Sequence, residues 1–239
     1  MNVSITFDDG NMEQYERYLP VLEMFGFKAT FYITTSQIGM KGKMGWDELR
    51  GLHDNGHEIG SHTHTHPHMT MLRPRLLEDE LAKSRKILEK FGARSFAYPA
   101  GDYDKRVVDA VKRHYESART YTDKGFNTSG SDPFLLRSAD SDMLGRLRDR
   151  EWAILVYHGP NTVPRAHLAA WLLRSKLHRS ARNRTFLSSI RGMAKGNEIS
   201  RDDAMGIRGF EEVCRTIKDM GAKAITVSQG VDSVLGGKP

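Results

Sequence analysis

Short apolar segments alternate with amphipathic segments of helical period along almost the whole chain of 239 residues. The apolar segments are rich in β-branched and aromatic residues, which indicates strands. They are residues 1–7, 28–35, 57–61, 95–99, 115–121, 134–139, 151–158 and 222–228. The helical segments are residues 13–25, 46–55, 75–91, 105–114 and 209–220. Strands that are joined by helices pair in parallel, so the alternation predicts an α/β fold, either a barrel or a doubly wound sheet.

The chain contains neither an internal repeat nor a recognisable linker, and its length suits one domain spanning residues 1–239. The single cysteine, Cys214, excludes an internal disulfide and is typical of a reducing compartment. Met1 is followed by a short strand-like segment rather than by a long apolar one, so we predict neither a signal peptide nor a membrane span. The expected location is therefore cytoplasmic.

Two adjacent carboxylates, Asp8 and Asp9, directly follow the first predicted strand. In both α/β architectures the functional residues collect at the C-terminal ends of the strands. Adjacent carboxylates repel each other, and neither is cheap to bury without a partner. Either the pair forms an ordinary turn with Gly10, or one carboxylate binds a cation while the other acts as a base. The residues alone leave both interpretations open.

The segment SHTHTHPHM, residues 61–69, places histidine at every second position from His62 to His68. His62 and His66 are four residues apart, which lets them converge on one metal from a helix or from a turn after a strand. Pro67 disfavours the helical conformation at His66, so the turn is favoured. In a regular strand all four histidines would instead share one face. Two histidines with a nearby carboxylate predict a site for Zn²⁺ or a similar divalent ion.

A further histidine, His158, ends the apolar segment 151–158. In a parallel fold this position lies at the same end as Asp8, Asp9 and the histidine run. The alternative is a loop histidine without a function. The other two polar clusters make a shared site the favoured hypothesis.

These residues occur in motifs that resemble those of the polysaccharide deacetylases of the NodB-homology family, carbohydrate esterase family 4. TFDDG (6–10) matches the first motif, and HTHTH (62–66) fits the H-[ST]-x-x-H pattern of the second. FAYPAG (96–101) resembles the third motif, and VYH (156–158) resembles the fifth. The resemblance implies a distorted (β/α) barrel of about seven parallel strands in a single domain.

The resemblance also implies a role for each matched residue. Asp8 would be the general base and His158 the general acid, while Asp9, His62 and His66 would bind the metal. The oxyanion would be held by the metal and by a backbone N–H at Ala100. Ala100 lies in the third motif, and its neighbours Pro99 and Gly101 would belong to the same substrate and oxyanion site.

The third motif departs from the family pattern in two places. Ala97 stands where the family carries an arginine that pairs with the base, and Ala100 stands where a tyrosine is common. Arg137 is our candidate for the missing arginine, although a surface arginine is an equal alternative. Asp140 or Asp142 is the candidate carboxylate for tuning His158.

The function implied by the resemblance is metal-dependent hydrolysis of an N-acyl group, above all acetyl, on an amino sugar in a glycan or glycolipid. Zn²⁺ is the expected ion, with Co²⁺ and Ni²⁺ as alternatives. The FAYP form of the third motif occurs in less typical family members. A deformylase or cyclic-amide hydrolase acting on a lipid-linked or small-molecule substrate is therefore an alternative.

A basic segment accounts for the net charge of +6, because residues 161–197 contain eight Lys and Arg and neither Asp nor Glu. We predict a helical insert at about 161–205 that packs beside the barrel. A sharper hypothesis is a basic amphipathic surface that meets a phosphate group or an anionic membrane. Nucleic-acid or other anionic-ligand binding is the alternative from another functional class. It is disfavoured because it leaves the aspartates and histidines without a role.

Overall fold

The computed structural model describes residues 1–158 and 206–236. Its strands are β1 (Asn2–Phe7), β2 (Ala29–Ile33), β3 (Glu58–Ser61), β4 (Ser95–Ala97), β5 (Ser117–Lys124), β6 (Leu136–Ser138), β7 (Trp152–Tyr157) and β8 (Lys223–Ala224). Its α-helices are α1 (Leu19–Phe25), α2 (Trp46–Asp54), α3 (Pro74–Leu88), α4 (Lys105–Val111), α5 (Gly206–Asp219) and α6 (Val227–Val234). The predicted insert at 161–205 lies outside the described residues, so the single-domain boundary and the insert both stay predictions.

Seven parallel strands form a nearly closed barrel in the order β6-β5-β4-β3-β2-β1-β7. The two ends of this order meet where Ala139, just after β6, bridges to Leu155 in β7. The short strand β8 pairs with the first two residues of β1. The predicted (β/α) barrel is therefore confirmed, and the doubly wound sheet is excluded.

The alternation of β1 separates two environments. Val3, Ile5 and Phe7 belong to the large apolar cluster that also contains residues of α1, α2 and α5. The intervening polar residues bond to β7 instead: the Trp152 indole N–H donates to Ser4 Oγ at 2.9 Å, and Thr6 Oγ1 donates to the Leu155 carbonyl at 2.8 Å. This two-residue period directs Asp8, the next even-numbered position, towards the barrel axis.

The predicted last strand, 222–228, is only partly correct. Lys223 and Ala224 pair with β1, but Val227 begins helix α6. Thr226 and Gln229 form a capping box at the start of α6, which turns the chain into a helix. Val227 and Val231 then pack with Trp152 and other interior residues, so α6 closes the N-terminal end of the barrel. Within the described residues, no helix has both the length and the apolar composition that crossing a membrane requires.

Candidate metal centre and active site

The loop after β1 presents Asp8 and Asp9 in opposite environments. Asp8 continues the inward face of β1 and is 2% exposed, whereas Asp9 is partly exposed. Asp9 and Gly10 both have positive φ, at 71° and 65°. This left-handed turn reverses the chain directly after the strand. It therefore separates two neighbouring carboxylates and points them at different partners.

Among the described residues, Asp9, His62 and His66 form a group that could hold a metal ion. Their ligand atoms all lie within 4.8 Å of one another. Asp9 Oδ1 is 3.8 Å from His62 Nε2 and 3.5 Å from His66 Nε2. Ligands of one Zn²⁺, with bonds of roughly 2.0–2.2 Å, lie about 3–4 Å apart, so these three residues fit a single ion.

The surroundings of His62 favour its neutral, metal-binding form. Burial lowers the pKa of His62 below its usual value, which keeps the imidazole uncharged at neutral pH. Its Nδ1 donates to the Ala97 carbonyl at 2.8 Å, so the lone pair is on Nε2, the atom that faces Asp9. A carboxylate and two imidazoles suit Zn²⁺ and similar borderline ions.

The other histidines of the run have different partners. His64 Nδ1 is 2.9 Å from Thr35 Oγ1, on the loop after β2. His68 is largely exposed, and its Nδ1 is 3.8 Å from Asp102 Oδ2. The four histidines therefore do not share one strand face. The chain leaves β3 at Ser61 and turns, as Pro67 predicts.

Asp8 lies between one arginine and two histidines. Arg119 on β5 forms a buried ion pair with Asp8 Oδ1, and Asp8 Oδ2 is 3.6 Å from His158 Nε2 and 4.0 Å from His62 Nε2. Burial alone would raise the pKa of Asp8. The charges of Arg119, His62 and His158 outweigh burial and lower this pKa to about 2. Asp8 is therefore ionised throughout the neutral range.

The prediction that Arg137 pairs with Asp8 is wrong. Arg137 lies on the exposed face of β6, whereas Arg119 is fully buried. Arg119 is the register partner of Ala97, so the arginine reaches Asp8 from the strand next to the third motif. A charged residue at an inward position of an apolar strand requires a buried partner. The predicted strand YESARTY, residues 115–121, already indicated that Arg119 has such a partner.

Two amide side chains hold the end of β7 against the loop after β1. Asn11 Nδ2 donates to the His158 carbonyl at 2.7 Å, and Gln14 Nε2 donates to the same oxygen at 3.0 Å. Gln14 also donates to the Asp8 carbonyl. It begins a π-helical turn, Gln14–Tyr18, that precedes α1. The sequence did not indicate the role of these two amides. It predicted an uninterrupted α-helix over residues 13–25, whereas the structure has a π-helical turn before α1.

The third-motif segment forms a 3₁₀ turn at Pro99–Gly101 beside this cluster. Ala100 is exposed and has φ 54°, and Gly101 packs tightly against Tyr121 and Thr122. The Tyr121 ring lies 5.5 Å from the His158 ring, at right angles to it. Asp140 forms an ion pair with Lys124 at 2.9 Å. His158 Nε2 lies 3.6 Å from Asp8 Oδ2, and the tuning role of Asp140 or Asp142 stays a prediction.

Known proteins share part of this sequence and of this fold. A polysaccharide deacetylase family model matches residues 1–115. Residues 1–115 belong to the polysaccharide deacetylase family. This stretch contains Asp8, Asp9, His62, His66 and the third-motif turn, so the predicted family is confirmed. His158 and Arg119 lie beyond it.

Three relatives illustrate the similarity. YxkH of Bacillus subtilis is 31% identical over 114 residues, which are 46% of this chain and 41% of that protein. A peptidoglycan-N-acetylglucosamine deacetylase of Bacillus cereus is 28% identical over 46% of this chain and 39% of its own length. The crystal structure of a polysaccharide deacetylase from Bacillus cereus superimposes with a TM-score of 0.51 at 30% identity, covering 57% of this chain and 45% of that one. The chain thus spans less than half of each of these relatives.

Proposed function

We propose that this protein is a metal-dependent amidohydrolase that removes an N-acyl group, with acetyl as the first choice, from an amino sugar in a glycan or glycoconjugate. The observation that carries the proposal is the convergence of Asp9, His62 and His66 beside a buried, arginine-paired Asp8. The family of residues 1–115 supports the same chemistry. The matched Bacillus cereus peptidoglycan-N-acetylglucosamine deacetylase supports an N-acetylated amino sugar as substrate.

Asp9, His62 and His66 would hold one divalent ion, for which Zn²⁺ is the first choice and Co²⁺ and Ni²⁺ are alternatives. Such an ion makes water a stronger nucleophile near neutral pH and an amide carbonyl a better electrophile. Asp9 is partly exposed, so a substrate can approach the three candidate ligands from the side of Asp9.

Asp8 would accept the proton of the attacking water, and His158 would deliver a proton to the departing amine. Both need a fixed orientation, because proton transfer requires contact at hydrogen-bond distance. Arg119 holds one oxygen of Asp8 and leaves the other facing His158 and His62. Asn11 and Gln14 hold the backbone of His158 through its carbonyl. The turn at Pro99, Ala100 and Gly101 would supply the backbone N–H for the developing oxyanion.

The first test compares metal content with acyl release. We expect about one equivalent of zinc, cobalt or nickel in the purified protein, and a loss of that metal in the double variant His62→Ala, His66→Ala. The double variant His53→Ala, His68→Ala is the matched control, because both of these side chains are exposed. Asp8→Asn should keep the metal and lose the activity, since Asp8 is outside the ligating group.

The substrate is tested by measuring acetate, formate and ring-opened product. Acetate release from N-acetylglucosamine oligomers supports the proposal. Turnover of a formylated sugar or a cyclic imide, without acetate release, would instead favour the hypothesis of a deformylase or cyclic-amide hydrolase. If the wild-type protein bound no metal even after incubation with Zn²⁺, the proposed mechanism would be wrong. Anion or nucleic-acid binding by the basic segment would then be the favoured function.

A further inference from the structure

The turn that carries the two histidine ligands has an unusual backbone. Thr63 and His66 have φ values of 65° and 62°, in the left-handed region that residues other than glycine seldom adopt. Thr63 is β-branched, which makes this conformation especially unfavourable for it. Such a turn persists only where several surrounding contacts hold it in place.

One side of the turn is held by the loop after β2. The N–H of Thr35 donates to the Thr63 carbonyl at 3.2 Å, and the N–H of Ser36 donates to the His64 carbonyl at 2.9 Å. Inside the turn, Thr63 Oγ1 accepts from the His66 N–H at 2.9 Å. These contacts use the carbonyls of 63 and 64, but they leave the next two N–H groups to another partner.

That partner is Glu80, in the middle of α3. Glu80 Oε2 accepts from the N–H of His64 at 3.0 Å and from the N–H of Thr65 at 2.8 Å. Glu80 Oε1 accepts from Thr65 Oγ1 at 2.7 Å. One carboxylate therefore binds two successive backbone N–H groups and a hydroxyl. Hydrogen bonds to an ionised group are roughly twice as strong as neutral ones.

We infer that Glu80 is a positioning residue for the candidate metal site: its carboxylate holds the strained turn in the shape that directs His62 and His66 at one ion. The inference rests on the proposed function, because it assumes that these histidines bind metal. Glu80 contacts neither histidine side chain through the bonds described above. It acts through the backbone N–H groups of His64 and Thr65, which lie between the two histidine ligands in the chain.

The experiment measures Zn²⁺ and Co²⁺ affinity by competition with a chromophoric chelator, together with the visible spectrum of the Co²⁺ form. The variants are Glu80→Ala and Glu80→Gln, of which the second keeps one acceptor oxygen and the side-chain size. Glu78→Ala is the matched control, since Glu78 lies two residues away on α3 and pairs with Arg113 and His114. Unfolding curves confirm that each variant is folded at the temperature of measurement.

We expect Glu80→Ala to weaken metal binding about 10–100-fold and to alter the Co²⁺ spectrum, with a smaller loss for Glu80→Gln. Glu78→Ala should bind as the wild type does. A wild-type affinity and spectrum in a folded Glu80 variant would overturn the inference and leave the proposed function intact. If Glu80→Ala does not fold, Glu80→Gln decides the question. Failure of the wild-type protein to bind metal would overturn the proposed function itself, and this inference with it.

Discussion

At the scale of single residues, the buried Arg119–Asp8 pair has the strongest consequences. Arg119 is fully buried, stacks 5.1 Å from the centre of the Tyr32 ring and donates to the Thr120 carbonyl as well as to Asp8. A buried ion pair is costly to form, but removing one partner is costlier, because the other charge is then left without compensation. The pair is therefore more informative about orientation in the site than about net stability.

Arg119→Met should lower the free energy of unfolding by about 3–5 kcal/mol, because it leaves Asp8 ionised and buried without its cation. The pKa of Asp8 should rise for the same reason, and acyl hydrolysis should fall while metal content is retained. Urea unfolding measures the loss of stability, acetate release measures the hydrolysis, and elemental analysis measures the metal content. Arg137→Met is the matched control, since its side chain lies exposed on the neighbouring strand. Equal stability of the two variants would contradict the structural assignment.

At the scale of elements, the position of each strand depends on contacts that its own segment does not contain. β5 pairs Arg119 with Ala97, and this register determines that the arginine lies level with the third motif. The start of β2 is held by a side chain from the segment before β3. The Ala29 N–H donates to His57 Nδ1 at 3.1 Å. This bond requires a neutral imidazole with its proton on Nε2.

The bond between His57 and β2 predicts a pH dependence of stability. Burial, reinforced by the Lys28 charge, lowers the pKa of His57 from 6.5 to about 4. Between these values the unfolded chain binds the proton and the folded protein does not. The free energy of unfolding therefore falls as the pH drops from about 6.5 towards 4, by an amount on the order of 3 kcal/mol. Above about pH 6.5 this contribution is fully present.

Urea unfolding at pH 7 and pH 5 measures this effect. His57→Asn keeps an acceptor for the Ala29 N–H but removes the titrating group, so the loss of stability at pH 5 should be smaller than in the wild type. His53→Asn is the control, because His53 is exposed on α2. An unchanged pH dependence in His57→Asn would mean that His57 is not buried in its neutral form.

At the scale of the whole molecule, the candidate metal centre joins parts of the barrel that are distant in sequence. Asp9 follows β1, whereas His62 and His66 follow β3, and β2 lies between these strands. An ion bound by all three residues would therefore connect two strands that do not pair directly. A ligand that binds only the folded state raises its stability by mass action.

Zn²⁺ at about a hundred times its Kd should stabilise the folded protein by about 2.7 kcal/mol. For a chain of this size that corresponds to a rise in Tm of roughly 5–10 °C. Thermal unfolding with added Zn²⁺ and then with excess EDTA measures the rise and its reversal. The double variant His62→Ala, His66→Ala should show neither, whereas His53→Ala, His68→Ala should respond as the wild type does. An equal response in both double variants would place the ion elsewhere.

The α/β class, most of the strands and helices, and the motif residues could be predicted from the amino-acid sequence. These depend on contiguous patterns: hydrophobic period, turn residues after strands, and short motifs at strand ends. The arginine that pairs with Asp8 could not be predicted, because Arg119 is 111 residues away in the sequence and its approach depends on strand register. A slip of one residue in β5 would turn Arg119 out of the barrel. The same holds for Gln14 at His158 and for Glu80 at the histidine turn. Each is fixed by long-range packing that overrides or extends the local pattern.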